Sequence, residues 1–381
     1  MGNMACRIFC KMRKNPGSLP ALPSCFSNSP AFITARYAHP SPSGLLSMDR
    51  WTGVLKVSLG PNHRGPFFKV AASLLLSHSK ALIVPSVNAI FFNGDRVEGT
   101  GDPVIERLSD SRNIAELLVS KLGSSANAWV VDASTFNGPF AVYKEFIPSV
   151  NSRGEPKRYD PNGFPASSSV VTILSKCVEE VKSLISCSVT KQIPTDVHFP
   201  ASTSPTRPKT IILGFSKGGT VVNQLVTELA YLNTEPARDL MSSEKPSSRL
   251  SQEMQDCLCP VSEGGLLFSI SEFHYVDAGL NCAGAYLTDR TAIRKIVEHL
   301  LLYDASISFT LHGTPRQWCD RHRPWICKEK DILRRLLEDE ARRCEGKLKP
   351  ISKKRNSSRR SNCFAQSARY LLQRPLESSS F

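Results

Sequence analysis

Apolar and polar residues alternate over residues 54–59, which predicts a first strand. A second apolar stretch, residues 89–92, stops at Asn93-Gly94-Asp95, a strong turn signal. Over residues 109–122 the period becomes helical: Ile114, Leu117, Leu118 and Leu122 share a face, and Gly123 stands at the C-cap position. Residues 128–131 are short and apolar, as expected of a buried parallel strand, and Asp132 and Ser134 follow. A long polar loop contains Asn137-Gly138-Pro139 and Asp160-Pro161-Asn162-Gly163. Val171, Leu174, Val178, Val181, Leu184 and Ile185 then mark an amphipathic helix.

A Pro-rich loop (Pro194, Pro200, Pro205, Pro208) leads to a strand at 210–213, and Val221, Val222, Leu225, Val226 and Leu229 predict a helix just beyond it. Residues 233–263 lack periodicity and read as an insertion or lid. A strand at 273–276 ends at Asp277-Ala278-Gly279. A helix carries Ile293, Ile296, Val297, Leu300 and Leu301. A strand at 306–311 ends at His312-Gly313, and residues 332–337 belong to a last helix that runs into a tail rich in Lys, Arg and Ser. Strands and helices alternating from about 89 to 340 predict an α/β fold: a mostly parallel sheet with helices on both faces. No internal repeat interrupts the pattern.

Charge divides the chain differently. Of the net +14, residues 1–48 carry +5 with no acid and residues 341–381 carry +9, so residues 49–340 carry no net charge. A neutral body argues against a phosphate-binding surface spread over the fold, and no specific nucleic-acid partner is expected. The run Lys353-Lys354-Arg355 with Arg359-Arg360 reads as part of a solvated, disordered basic tail. The expected organisation is a leader at 1–48, a body at 49–340 and a tail at 341–381.

The leader is rich in Ser and Pro and has scattered Arg and Lys, the composition of a mitochondrial or chloroplast transit peptide. Pro16, Pro20, Pro23 and Pro30 interrupt its amphipathic character, and a start at Met48 would give a cytoplasmic product instead. Mitochondrial residence is the leading expectation. Gly2 suggests myristoylation, but Cys6 stands where that pattern wants Ser or Thr. Of twelve cysteines, the seven in the body are an odd number without a framework, which favours free thiols in a reducing compartment. No apolar run approaches the ~20 residues that would span a bilayer. Cys319, His322 and Cys327 match no standard zinc spacing and Cys257-Leu258-Cys259 lies in the insertion, so neither metal nor cofactor is expected.

The candidate chemistry lies at Ile211-Ile212-Leu213-Gly214-Phe215-Ser216-Lys217-Gly218-Gly219, a G-x-S-x-G motif between a strand and a helix. Turning from strand to helix so tightly leaves no room for flanking side chains, so Gly214 and Gly218 are required. The turn lifts the Ser216 hydroxyl above the sheet, where helix N–H groups favour a developing oxyanion. In an α/β-hydrolase-like fold the acid and then the histidine follow the serine in chain order, each at a strand end. Asp277 and His312 meet that order, with Asp289 as an alternative acid; His274 within a strand and His299 within a helix read as structural. The oxyanion donors would be the Lys217 N–H and the loop at Asn93 and Gly94. The Lys217 ammonium could hold an anionic substrate or simply face solvent.

The strings Gly214-Phe215-Ser216-Lys217-Gly218, Asp277-Ala278-Gly279 and Leu311-His312-Gly313-Thr314-Pro315 resemble an uncharacterised family typified by the human chromosome-2 open-reading-frame-69 mitochondrial protein. The resemblance covers roughly residues 50–340, and Thr135-Phe136-Asn137-Gly138 is similar to plant-type members. It implies an α/β-hydrolase-like fold, a serine hydrolase with Ser216, Asp277 and His312 at its centre and, for animal members, mitochondrial residence. It implies no substrate. The function expected is hydrolysis of an ester, thioester or amide, with a small-molecule acyl substrate. The alternative is an inactive hydrolase fold that binds a protein partner.

Overall fold

The computed structural model describes residues 49–60, 65–96, 110–188, 207–232, 258–344 and 346–354. The leader, most of the insertion and the tail beyond Lys354 lie outside them. Eight strands form one sheet: β1 (Arg50–Ser58), β2 (Phe67–Leu75), β3 (Val87–Phe92), β4 (Ala126–Val131), β7 (Lys209–Phe215), β8 (Ile270–Val276), β9 (Ile307–Gly313) and β10 (Leu348–Lys354). Their order is β1-β2-β4-β3-β7-β8-β9-β10. β1–β2 and β2–β4 pair antiparallel, and every later pair is parallel. A short hairpin, β5 (Thr135–Asn137) and β6 (Phe140–Val142), turns at Gly138, whose φ of 58° suits glycine. It stands in the stretch expected to be a plain loop.

Alternation along the strands sorts the core into two faces. Ile90, Phe92, Trp129, Ile212, Phe273, Tyr275, Phe309 and Leu311 belong to the larger cluster. Covering them are α2 (Pro165–Ser188), α3 (Gly219–Ala230), α5 (Arg290–Leu302) and α7 (Pro324–Ala341). Ala89, Phe91, Ala128, Val130, Ile211, Leu213, Phe215 and Val276 form the smaller one, against Ala115 and Leu118 of α1 (Ser111–Leu122). Two short helices, α4 (Glu263–Ser269) and α6 (Pro315–Trp318), complete the elements used below. Every residue of α3 is buried, so the helix that begins at the serine motif is the most enclosed in the fold.

Two expectations change. The basic tail begins later than residue 341, because β10 pairs with β9 from Leu348↔Ile307 to Lys354↔Gly313. It is an edge strand, where Pro350 and lysines are tolerated because one row of backbone groups needs no strand partner. Within the insertion, Leu258 and Cys259 are core residues, and Asn88 Nδ2 donates to the Leu258 carbonyl at 3.2 Å. No helix among the described residues is long and apolar enough to cross a membrane.

Candidate active site

β7 delivers Phe215 in extended backbone (φ −94°, ψ 131°), and Ser216 then takes φ 51°. A serine in the left-handed region carries strain that only a tightly determined surrounding sustains. The surrounding is visible in the glycines. A Cβ on Gly214 would lie 2.5 Å from the Gly218 carbonyl oxygen and 2.6 Å from Val222 Cγ2. A Cβ on Gly218 would lie 2.1 Å from the Phe92 carbonyl oxygen and 2.9 Å from that of Asn93. Both glycines of the motif are therefore steric necessities, and the turn is pressed onto the end of β3. A single 3-10 turn, Ser216–Gly218, passes the chain into α3. Ser216 is half-buried at the C-terminal edge of the sheet, and no described side chain hydrogen-bonds its hydroxyl.

The loop after β3 supplies the neighbouring backbone. Gly94 is buried, and a Cβ there would come within 2.8 Å of Ser216 Cβ. Among the described residues no group accepts from its N–H. Asn93, the other expected donor, is already occupied. Its N–H donates to the Val131 carbonyl (3.0 Å), and its Nδ2 donates to Asp132 Oδ1 (2.8 Å) and Ser111 Oγ (3.3 Å). Its carbonyl accepts from the Tyr143 hydroxyl at 2.8 Å. Burial, reinforced by Asp132 and Asp95, holds that phenol well above its ordinary value, so it stays a donor. Asn93 fixes the loop; Gly94, with no described acceptor on its N–H, packs beside the serine. The Lys217 N–H, in the first turn after the strand, has no intrahelical acceptor.

Lys217 corrects both readings of its side chain. It is 3 % exposed, and its Nζ lies 2.6 Å from the Arg153 carbonyl oxygen, 3.1 Å from Asp95 Oδ1 and 4.6 Å from the centre of the Phe140 ring. The ammonium neither faces solvent nor is open to a substrate.

Asp277 stands one residue past β8 with φ 48°. Its N–H donates to the His312 carbonyl (2.9 Å), and its carboxylate accepts from the Thr314 N–H (2.7 Å) and hydroxyl (3.0 and 3.1 Å). It thus ties the ends of β8 and β9 together, at the N-terminus of α6. Asp289 is the N-cap of α5, accepting from Thr291 N (2.8 Å) and Ala292 N (3.3 Å).

His312 lies inside β9 rather than in the loop after it, level with Val276. Strand alternation therefore turns its side chain to the Val276 face, opposite Leu311. There its ring stacks on His274 with centres 5.4 Å apart, and Nε2 lies 3.1 Å from His274 Nδ1. His274 Nε2 in turn meets Glu272 Oε2 at 2.7 Å. The expected hydrogen bond from Ser216 to His312 is not made in this arrangement. His274, expected to be structural, is the partner that sequence reasoning missed; its i, i+2 spacing from Glu272 on one strand face was the available signal. His299 Nδ1 lies 3.1 Å from the Leu229 carbonyl, away from the sheet end.

A parallel sheet with an antiparallel end, helices on both faces and a strained serine between strand and helix define an α/β-hydrolase-like fold. Residues 167–341, a little under half of the chain, match the C2orf69 family, the one its serine motif resembles. No curated protein matches the chain. Solved structures similar to it include an IroE-like serine hydrolase from Shewanella oneidensis (9 % identity, 84 % of this chain and 78 % of that one, TM-score 0.40). Others are an S-formylglutathione hydrolase from Agrobacterium tumefaciens (13 %, 84 % and 92 %, 0.35) and a carboxylesterase from Lactobacillus plantarum (10 %, 84 % and 93 %, 0.35).

Proposed function

We propose that the protein is a serine hydrolase acting on an ester, thioester or amide through an acyl-enzyme on Ser216. The observation that carries the reading is the strained Ser216, at φ 51°, with Gly94 packed against it and no described acceptor on the Gly94 N–H. The Ser216 hydroxyl attacks the acyl carbon as its proton passes to the base, and the Gly94 and Lys217 N–H groups receive the oxyanion. The bond to the leaving alcohol, thiol or amine breaks as that group takes the proton, and water then releases the acid from Ser216. Strain at such a point costs stability, and a hydrolase repays it by holding the nucleophile clear of the sheet.

In this reading Asp277 and His312 remain the acid and base. With Nε2 as the base, that requires the His312 ring to exchange its bond with His274 for one to Ser216 at ~3 Å. A second reading, a hydrolase fold kept as a binding module, is favoured by that same engaged ring and by the absence of any described side chain on the Ser216 hydroxyl. Fluorophosphonate labelling of the purified protein tests the first reading. Labelling that disappears in Ser216→Ala supports it; an unlabelled wild type, or equal labelling of the variant, supports the second.

A further inference from the structure

A lysine beside the nucleophile would ordinarily reach for water or for substrate. Lys217 does neither, and burying an ammonium is unfavourable unless partners compensate the lost hydration. Its partners come from segments far apart in sequence. Asp95 belongs to the loop that carries Gly94, Arg153 to the loop before α2, and Phe140 to β6. Asp95 Oδ1 accepts a second bond, from the Ala141 N–H at 2.8 Å, while the Arg96 N–H donates to the Pro139 carbonyl at 2.8 Å. Gly154, at φ 71°, is pressed onto the same strand: a Cβ there would lie 2.1 Å from the Ala141 carbonyl oxygen. One ammonium therefore joins the serine turn, the loop after β3, the hairpin and the 151–156 loop.

We infer that Lys217 is a positioning residue: acting through Asp95, its ammonium sets the distance between the Gly94 amide and Ser216. Asp95 is next to Gly94 in the chain, so a shift of its carboxylate moves the amide directly. The contact is stiff because the carboxylate is held from two sides, by Nζ and by the Ala141 amide. A neutral side chain at 217 could fill the space but could not hold Asp95. The charge is needed for geometry rather than for affinity. The catalytic part of this inference rests on Ser216 being the nucleophile; the mechanical part does not.

The experiment pairs two measurements on the full chain, for wild type, Lys217→Met, Asp95→Asn and the double variant carrying both. The first is fluorophosphonate inactivation, resolved into its limiting rate and half-saturating concentration. The second is amide hydrogen exchange over residues 93–96 and 139–142. Loosening the oxyanion donor should cut the limiting rate about tenfold to hundredfold. The half-saturating concentration should stay within about twofold of wild type, and exchange at both segments should accelerate. The double variant should fall no further than the single ones, because the two residues act as a unit. Wild-type exchange in both single variants would overturn the inference, as would a rate loss without any exchange change. An unlabelled wild type whose Lys217→Met variant still exchanges faster would sink the hydrolase reading and uphold the clamp. Should Lys217→Met fail to fold, Asp95→Asn, which keeps the volume, decides alone on the same criteria.

Discussion

Gly94→Ala isolates the contact between the loop after β3 and Ser216. The added Cβ would lie 2.8 Å from Ser216 Cβ and 3.1 Å from both Phe215 Cδ1 and the Phe215 carbonyl oxygen. Carbon atoms rest at about 3.5–4.0 Å, so the loop or the serine must yield by about 1 Å. Gly94 is not among the glycines with positive φ, so alanine meets no backbone penalty and the whole effect is steric. Overpacking of this size costs about 1–3 kcal/mol of stability. Under the hydrolase reading Gly94 is an oxyanion donor, and moving it by 1 Å costs about 10²-fold in rate, in line with the about 10²–10³ lost when such a donor is removed. The assay is the pseudo-first-order rate of fluorophosphonate labelling beside a urea unfolding curve. Gly123→Ala is the control. Gly123, at φ 102° and ψ 162°, caps α1 with open space where its Cβ would be, so alanine there costs about 1–3 kcal/mol of stability and leaves labelling unchanged. Wild-type labelling by Gly94→Ala at unaltered stability would refute the packing of this loop on the serine.

Further variants probe the neighbouring groups. Asp277→Ala strips Thr314 of the acceptor for its N–H and hydroxyl and should lower stability by about 1–3 kcal/mol in urea; a loss under about 0.5 kcal/mol would contradict the role as a tie between β8 and β9. Under the hydrolase reading, His312→Asn lowers labelling by at least about 10²-fold, whereas His274→Phe, which keeps a ring but frees His312 Nε2, retains or raises it; equal rates in both would exclude His312 as base. Glu228 of α3 accepts from Ala166 N, Ser167 N, Ser167 Oγ and Gln224 Nε2, yet burial outweighs these donors and lifts its carboxyl above the ordinary value. The folded chain thus holds that proton more tightly than the unfolded one. Its contribution is full at low pH and falls as pH rises from about 4.3 through the raised value, so wild type should lose stability relative to Glu228→Gln across that window; parallel urea midpoints would refute it.

The serine turn was legible because each level agreed: an apolar strand, two glycines that only a tight turn explains, and a helical repeat immediately after. Gly94 was legible for the same reason, since Asn-Gly ends a strand at a place the topology brings beside the serine. β2 was not read as a strand, because Val70 to Leu75 is buried on both faces and a continuous apolar run has no period to detect. β10 was hidden by Pro350 and its lysines, features of an edge. The burial of Lys217 depends on Asp95 and Arg153, which no local pattern links to residue 217. His312 shows how much rests on an element boundary. Read as the first residue after a strand ending at 311, it is free to aim at the serine; with β9 running to Gly313, alternation commits its side chain to the sheet face.

That commitment bears on the chemistry through the protons of the two rings. The Glu272 carboxylate accepts from His274 Nε2, so a neutral His274 offers only an unprotonated Nδ1 to its neighbour. His312 Nε2 must then carry the hydrogen in their 3.1 Å contact, and a nitrogen that already holds a proton cannot take one from Ser216. If His274 is instead protonated, the direction reverses and His312 Nε2 becomes the acceptor, but its lone pair is then spent on His274. In either state the bond to His274 occupies Nε2, so that nitrogen cannot serve as base while the pair is closed. An enzyme that uses His312 Nε2 as its base must therefore break the histidine pair during turnover, and a binding module has no reason to. Breaking it also leaves Glu272 as the one hydrogen-bond partner of the His274 ring among the described residues, so the carboxylate that locks the resting pair is the group that would steady the site when it opens.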